Sequence, residues 1–239
     1  MLEPGSRAAY VELHIEQGGT LERTHTDIGV VEGIVGIHWW EATITGVANH
    51  AGTTPMDQRH DALLAASDLV LAVNAAAREL PGRQVATVGR IRAEPGAPNV
   101  IPGRVVLSIE VRDLDAARIA AVFERIRARA AAIAQLRGTN IEFRDLEATA
   151  APALTDPRIQ RIIESAAHAL ALTTMTMPSG AGHDAQDIAA LAPIGMIFVP
   201  SVAGISHSPQ EYTAPGDIEH GVNVLMRTIL AIDAGGLER

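Results

Sequence analysis

An uninterrupted apolar run, Ile194-Gly195-Met196-Ile197-Phe198-Val199, sets the class of fold for this chain. A strand without polar residues must be buried on both faces, as in an α/β sheet that helices cover. Helical patterns flank the run, at about 156–171 and 183–191 before it and at 215–234 after it. We therefore expect a mostly parallel α/β sheet, to which an alternating strand at about 8–15 also belongs.

The middle of the chain has a different order of elements. Strand and helix patterns follow one another at about 37–45, 61–80, 85–93, 104–112, 114–136 and 141–145. The order strand, helix, strand, strand, helix, strand is that of the ferredoxin-like split βαβ arrangement, an antiparallel sheet with two helices on one face. We predict an inserted domain at 34–148, surrounded by a partial α/β domain made of 1–33 and 149–239. The residues after the first strand, up to Gly33, are interpreted as a short leader.

Composition and charge restrict the partners of the protein. The 239 residues are 47% hydrophobic, and the formal net charge of −9 argues against nonspecific binding to nucleic acid. Residues 1–7 have no apolar signal region, and no stretch is long and apolar enough for a membrane span, so we expect a soluble, cytoplasmic protein. Because the chain has no cysteine, any metal ion must use imidazole and carboxylate ligands.

Two histidines stand in comparable surroundings near the two ends of the chain. His14 lies in Glu12-Leu13-His14-Ile15-Glu16-Gln17-Gly18, and His207 lies in Gly204-Ile205-Ser206-His207-Ser208-Pro209. Each apolar stretch ends in turn-forming residues, where the loop after a strand can hold an imidazole toward a cleft as a metal ligand. Taken alone, such a histidine is more often a satisfied core or surface residue.

Four further motifs change that balance: Ala48-Asn49-His50-Ala51-Gly52-Thr53-Thr54-Pro55-Met56, Pro98-Asn99-Val100-Ile101-Pro102-Gly103, Glu110-Val111-Arg112-Asp113 and Ser179-Gly180-Ala181-Gly182-His183-Asp184-Ala185. With them the chain resembles the hydantoinase/carbamoylase family of amidases from about Tyr10 to its end. That family includes N-carbamoyl-L-amino-acid hydrolases, allantoate amidohydrolases and beta-ureidopropionases, and is related to dinuclear zinc aminoacylases and exopeptidases.

The resemblance implies a metal-dependent hydrolase that cleaves the C–N bond of N-carbamoyl-L-amino acids or related ureido or acylamino acids. It implies two divalent ions (Zn, Mn, Co or Ni), a small-molecule substrate and a homodimer formed through the inserted domain, which would also act as a lid. The residues that it implies for the site are His14 and His207 as metal ligands, His50 as a catalytic residue, and Gln17, Asn99, Arg112, Gly182 and His183 as substrate-binding residues.

The chemistry of these residues fits such roles, although alternatives stay open. His50 can stabilise a developing oxyanion, or it can cap the turn that follows it. Arg112 offers a planar fork suited to a substrate carboxylate, in a pair with Asn99, or it is a surface residue in an ion pair. Gln17 can bind substrate or cap its loop, and the glycine-rich turn before His183 has amides that can bind an anion.

The resemblance also implies that part of the site is absent from this sequence. Family members begin with a segment that carries a His-x-Asp motif, a metal-bridging aspartate and a Glu-Glu pair containing the general base, and this chain starts after them. Neither Glu16 nor Glu211 is assigned to replace that base. A second hypothesis is therefore a truncated, catalytically incompetent member that dimerises and binds a small carboxylate.

Overall fold

The computed structural model of the protein describes residues 8–147 and 149–237. Residues 1–7, expected at the start of the surrounding domain, and residue 148, expected as the last of the insert, lie outside the described residues.

The described part of the chain forms eleven strands and six α-helices. The strands are β1 (Tyr10–Ile15), β2 (Ile28–Ile34), β3 (Gly36–Thr45), β4 (Asn49–His50), β5 (Val85–Glu94), β6 (Val100–Ile101), β7 (Arg104–Asp113), β8 (Asn140–Asp145), β9 (Ala153–Leu154), β10 (Thr174–Ser179) and β11 (Ile194–Val199). The helices are α1 (Thr20–Thr24), α2 (Ala62–Glu79), α3 (Ala116–Arg137), α4 (Pro157–His168), α5 (Asp184–Ile188) and α6 (Pro215–Ala231).

The chain divides into two units, each with a sheet and a core of its own. Unit 1 is Met1–Val35 with Pro152–Arg239, and unit 2 is Gly36–Ala151. The elements of unit 1 are β1, β2, β9, β10 and β11 with α1, α4, α5 and α6, and unit 2 holds the others. The α/β class expected from the sequence is confirmed.

The sheet of unit 1 is mixed rather than mostly parallel. Its strand order is β1-β11-β2-β10, with β9 paired to β2. β1 is parallel to β11 and β10 is parallel to β2, but β11 and β2 run antiparallel, as do β2 and β9. All six residues of β11 are buried, as the apolar run predicted.

The interpretation of the residues up to Gly33 as a leader is wrong. They form α1 and β2, and β2 lies in the middle of the sheet between β11 and β10. The glycines of β2 weaken the strand pattern in the sequence, but Gly29 is needed because neighbouring side chains lie close to its backbone. A Cβ at Gly29 would lie 2.8 Å from Sδ of Met177 and 2.9 Å from Cβ of Phe198.

Successive side chains along the strands of unit 1 point to opposite faces of the sheet, and each face packs in an apolar layer of its own. Leu21 of α1 and Ala185 of α5 pack with Met196 and Phe198 on one face of the sheet. The second layer combines Ile197 and Val199 of β11 with buried residues of α4 and α6, namely Ile159, Ile163 and Val224. The sheet is thus covered on both faces, as its buried central strand requires.

The sheet of unit 2 is antiparallel, with the strand order β5-β7-β3-β8. Its strands and the helices α2 and α3 contribute to one core, in which Trp40 and Leu107 pack with Leu69 and Ile126. Asp61 and Asp115 cap the two helices by accepting hydrogen bonds from backbone N–H groups of the first turn. The two short strands β4 and β6 pair with each other separately.

Within the described residues, none of the helices combines the length and the apolar character that crossing a membrane would need.

The close approach at Gly29 gives a test of the fold. Gly29→Ala should lower the free energy of unfolding by about 1 to 3 kcal/mol, because the methyl group overlaps the side chains of two neighbouring strands. Gly216→Ala is the matched control, since a Cβ there meets nothing within 4 Å. Urea unfolding compares the two variants, and equal stabilities would contradict the packing described for β2.

Candidate functional site

Two polar residues of β1, Glu12 and His14, share one face of the sheet of unit 1. Side chains alternate between the faces of a strand, and Leu13 and Ile15 pack in the layer beneath α4 and α6. Glu12 and His14 therefore face the opposite layer, where the ring of His14 lies edge-on to Phe198 with centroids 6.5 Å apart. Both residues are half-buried, near the carboxyl end of β1, where α/β sheets usually place their ligands.

His183 reaches the same place from the loop between β10 and α5. Its ring lies edge-on to that of His14, with centroids 4.6 Å apart, and its side chain is only 1% exposed. Nε2 is 2.7 Å from the hydroxyl of Ser179, and Nδ1 is 3.6 Å from Oε1 of Glu12. Glu12 also accepts a hydrogen bond from the backbone N–H of Ala185, in the first turn of α5.

Glu12, His14 and His183 form a candidate metal-binding group. Each offers one ligand atom, and these atoms all lie within 4.8 Å of one another. Nδ1 of His14 is 2.9 Å from the carbonyl oxygen of Ile15, which can only accept, so Nδ1 carries the proton and Nε2 keeps a lone pair. A fixed tautomer of this kind is what metal-ligating histidines show.

The buried ring of His183 is held neutral. Burial, with a further contribution from His14, lowers the pKa of His183 to about 4, whereas the nearby Asp184 acts in the opposite direction. A neutral imidazole can accept a hydrogen bond or bind a metal ion. Both ring nitrogens of His183 lie beside protein groups, Ser179 and Glu12, and its contact with substrate stays a prediction.

Two loops that follow β1 and β11 are joined closely. The backbone N–H of Gln17 donates to Oγ of Ser201, and its Nε2 donates to Oγ of Ser206 at 3.2 Å. A Cβ at Gly204 would lie 2.7 Å from the backbone nitrogen of Gly19, so only glycine fits there. Gln17 thus bridges the loops, which is the loop-capping role that the sequence left open beside substrate binding.

His207 lies in the second of these loops and is exposed. Glu211 accepts hydrogen bonds from the backbone N–H of His207 at 3.0 Å and from Oγ of Ser206 at 2.6 Å. These bonds lower the pKa of Glu211, and the imidazoles of His207 and His14 contribute to the shift. The group within 4.8 Å does not include His207, whose loop is nevertheless tied to the loop after His14.

Three residues of the joined loops have strained backbones. Gln17, Ala203 and His207 have φ values of 58°, 55° and 56°, in the left-handed region that residues with a Cβ rarely adopt. Such strain persists where the surroundings over-determine the conformation, and it is concentrated at functional sites.

Two glutamates near His14, Glu12 and Glu16, have different roles in the structure. Glu16 accepts from the backbone N–H groups of Thr20 and Leu21, so it holds the start of α1 and is not a free base. Glu12 was not predicted as a site residue. A period of two counted back from His14 places it on the same face, and this signal was present in the sequence.

The turn before α5 leaves Gly182 exposed. A Cβ at Gly182 would meet only the side chain of Gln186, at 3.6 Å. The space beside this predicted substrate-binding residue is therefore open.

His50 of unit 2 caps a turn and still presents a donor. Its Nδ1 accepts hydrogen bonds from the backbone N–H groups of Gly52, at 2.9 Å, and Thr53, at 3.2 Å. Nδ1 must therefore carry a lone pair, so the neutral ring has its proton on Nε2. The side chain is exposed, and Asn99 lies nearby because its carbonyl oxygen accepts from the N–H of Ala51.

Arg112 lies at the other end of the unit 2 sheet. β7 begins at Arg104, beside the segment of Asn99, and Arg112 is eight residues further on, about 26 Å along an extended strand. This spacing along β7 separates the two residues within one copy of unit 2, and their pairing on one substrate carboxylate stays a prediction.

The fork of Arg112 already holds a carboxylate of the protein. Nε and Nη2 donate to the two carboxylate oxygens of Glu110 at 2.7 and 3.1 Å, and the indole N–H of Trp39 donates to the same carboxylate. Burial alone would raise the pKa of Glu110, but the bonds from Arg112 and Trp39 lower it. Residues two apart on a strand share a face, so Glu110 could have been found from the sequence.

Comparisons with known proteins agree with these motifs. The model of peptidase family M20/M25/M40 matches residues 1–231. N-carbamoyl-L-amino acid amidohydrolase from Geobacillus stearothermophilus is 40% identical over 98% of this chain and 56% of its own length. Allantoate amidohydrolase from Bacillus subtilis is 39% identical over 91% of this chain and 53% of its own length.

A solved structure is similar in shape as well as sequence. The hydantoinase/carbamoylase family amidase from Burkholderia multivorans superposes with a TM-score of 0.89 at 40% identity, over 94% of this chain and 54% of the other. The resemblance stated from the sequence motifs is thereby confirmed. The chain spans about half the length of the relatives it matches.

The lowered pKa of His183 predicts how stability depends on pH in metal-free protein. Between about pH 6.5 and about pH 4 the unfolded chain takes up a proton on this residue while the folded chain does not, so the free energy of unfolding falls as the pH is lowered. His183→Gln should flatten this dependence, and His168→Gln, at the exposed end of α4, should not. Urea unfolding at several pH values in a chelator is the measurement. Parallel curves for wild type and His183→Gln would contradict the prediction.

Proposed function

The chain belongs to the peptidase family M20/M25/M40, and we propose that it carries part of the active site of a metal-dependent amidohydrolase. The bond cleaved is the C–N bond of an N-carbamoyl-L-amino acid or a related ureido or acylamino acid. The observation that carries the proposal is the group of Glu12, His14 and His183, whose ligand atoms lie within 4.8 Å of one another. The names of the relatives support the substrate class, since they include N-carbamoyl-L-amino acid and allantoate amidohydrolases.

The donor set suits a borderline divalent ion. Imidazole nitrogens with a carboxylate oxygen are ligands that Zn, Mn, Co and Ni accept, and the chain offers no thiolate. We propose His14, with its free Nε2, as a ligand supported by Glu12, and His207 as a ligand of a second ion. Such ions lower the pKa of a bound water and polarise a carbonyl. His183 then fixes the ring of His14 by contact, or completes the ligand set.

His50 fits the stabilisation of an oxyanion. Its Nδ1 is occupied by two backbone N–H groups, so the ring cannot rotate freely and Nε2–H projects as a donor. A donor held in this way requires little reorganisation when negative charge develops on a carbonyl oxygen. We retain Asn99, Gln17 and Gly182 as residues that position substrate.

Arg112 is proposed to bind the substrate carboxylate. Because Glu110 contacts its Nε and Nη2, an incoming carboxylate has to share the guanidinium with Glu110 or displace it. Arginine has five donors in a fixed fork, and its bidentate geometry is not reproduced by lysine.

Unit 2 is proposed to be a ferredoxin-like dimerisation and lid domain, at about 34–148. Its strand order and its two helices in one core support this topology. Leu64 and Leu71, seven residues apart on α2, are exposed and offer an apolar contact for a second copy. In a dimer, Arg112 of one copy and the His50 and Asn99 pair of the other can serve one substrate, which one copy alone does not arrange.

A second candidate function is binding of a small carboxylate without hydrolysis, by a protein of the same fold. The metal group among the described residues contains one carboxylate, and the chain spans about half the length of its relatives. These observations favour a member that dimerises and binds a small carboxylate without turnover when it acts alone.

Metal binding and turnover test the proposal together. We expect the purified chain to bind Zn or Mn weakly, and His14→Ala to reduce the affinity at least about tenfold, because a ligand is removed. His168→Ala is the control histidine. Turnover of N-carbamoyl-L-amino acids by the chain alone should be negligible, since one carboxylate does not supply both a dinuclear shell and a general base.

Two results would count against these expectations. Metal affinity that is equal in wild type and His14→Ala would remove the proposed metal site. Robust turnover by the metal-supplemented chain would show that the residues present suffice, and would exclude the second candidate function.

Assembly through unit 2 can be measured separately. We expect a C2 dimer in sedimentation experiments at micromolar concentration, and Leu71→Glu should weaken it at least about tenfold by placing a charge in an apolar contact. Leu154→Glu places the same charge on an exposed leucine of unit 1 and should leave the dimer intact. A wild-type chain that stays monomeric would contradict the assignment.

A further inference from the structure

A groove lies between α4 and α6 in unit 1. Its volume is about 500 Å³, and sites for small molecules usually measure about 300 to 1,000 Å³. The two helices pack in the apolar layer that contains Ile163 and Val224. This layer covers the face of the sheet opposite to the one that carries Glu12 and His14, so the groove is separate from the candidate metal group.

One side of each helix lines the groove. Residues three and four apart on a helix are neighbours on its surface, and the lining residues follow these spacings. Those of α4 include Arg158, Arg161, Ile162 and Ser165. Those of α6 include Arg227 and Leu230. Arginine side chains from two helices therefore meet at one groove.

The three arginines of the groove differ in their partners. Arg158 donates from Nη2 to a carboxylate oxygen of Asp156 at 2.7 Å and from Nη1 to the carbonyl oxygen of Leu237 at 2.8 Å. Arg161 and Arg227 have no hydrogen-bond or ion-pair partner among the described residues. The lining that the structure describes contains no aspartate or glutamate. The charges of Arg161 and Arg227 are thus uncompensated, although the whole chain has a formal net charge of −9.

The groove also offers apolar surface beside these charges. Leu230 of α6 is 61% exposed, and Ile162 of α4 is half-buried. Exposed leucine beside unpaired arginine suits a ligand that combines an anionic group with an apolar group, because both parts are then removed from unfavourable surroundings.

We propose that the groove between α4 and α6 binds a phosphomonoester of a small organic molecule. Such a group carries about −1.5 to −2 charges at pH 7 and has three strong acceptor oxygens. Arg161 and Arg227 together balance this charge, and the hydroxyl of Ser165 offers a further donor. The organic part of the ligand covers Ile162 and Leu230.

Two other anions fit these observations less well. A carboxylate carries a single charge, so it leaves one of the two unpaired guanidinium groups unbalanced. The phosphate of an anionic lipid has suitable chemistry, but a membrane surface of negative potential repels a chain with a net charge of −9. A dissolved phosphomonoester does not bring this repulsion with it.

Calorimetric titration of the 239-residue chain with phenyl phosphate, in a chelator, tests the proposal. We expect saturable binding at one site per chain. Inorganic phosphate, which lacks the apolar group, and benzoate, which has one charge, should both bind more weakly. Arg161→Gln and Arg227→Gln should each weaken the binding of phenyl phosphate at least about tenfold, because a charged donor is removed. Both arginines are exposed, and circular dichroism checks that the variants stay folded.

Arg78→Gln is the matched control for the loss of charge. Arg78 is an exposed arginine in the last turn of α2 in unit 2, and it also has no partner among the described residues. This variant should bind phenyl phosphate as wild type does. Leu230→Ala tests the apolar part, since it should weaken the binding of phenyl phosphate and leave that of inorganic phosphate unchanged.

Four results would overturn the proposal. They are the absence of saturable binding of phenyl phosphate, benzoate binding as tightly as phenyl phosphate, Arg161→Gln and Arg227→Gln binding as tightly as wild type, and binding to phosphatidic acid vesicles without binding of phenyl phosphate. Because the titration uses neither metal nor turnover, failure of the proposed hydrolase activity would not affect its outcome.

Discussion

The pairing of β1 with the fully buried strand β11 is the constraint on which the rest of unit 1 depends. The parallel register sets His14 opposite Phe198 and Ile15 opposite Val199, so both strands end at the same edge of the sheet. Since β11 has no polar residue, a shift of β1 by one position would turn Glu12 and His14 into the layer beneath α4 and α6 and expose Leu13. The burial of apolar residues therefore decides which way the candidate metal ligands face.

The same register explains why the loops after β1 and β11 are strained. Both leave the sheet at one edge, so their backbones meet, and Gly204 approaches Gly19 too closely for any side chain. Hydrogen bonds from Gln17 to Ser201 and Ser206 then hold them together. Backbone conformations that would cost about 1 to 3 kcal/mol each are kept because the contacts between the loops leave no alternative. His207 is thus positioned by a network anchored on the strand of His14, at the other end of the chain.

Patterns that extend over many residues could be predicted from the sequence, and contacts between distant segments could not. β11 is an uninterrupted apolar run, and the long helices α2 and α3 have apolar residues at helical spacing. The motifs around His14 and His183 located residues that come together. β2 was missed because its glycines, needed for the close approach to Met177 and Phe198, weaken a strand signal. β10 was missed for a similar reason, since Pro178 lies within a short strand. Strand alternation places Glu110 and Arg112 on the same face, so their contact could be predicted. Whether Arg112 forms this ion pair or stays hydrated depends on how deeply it is buried, and the sequence does not give that burial.

Unit 2 is proposed both to form the dimer and to supply site residues, and the length of β7 connects these two roles. About 26 Å of extended strand separates Arg112 from the start of β7, beside the segment of Asn99, and this is longer than a small N-carbamoyl amino acid. If Arg112 binds the carboxylate of a small substrate, the oxyanion donor Nε2–H of His50 has to come from elsewhere, and a second copy related by twofold symmetry provides it without any further residue. Dimerisation would then be a requirement of the site rather than an addition to it. Loss of the dimer and loss of His50 should therefore affect the same step of the reaction.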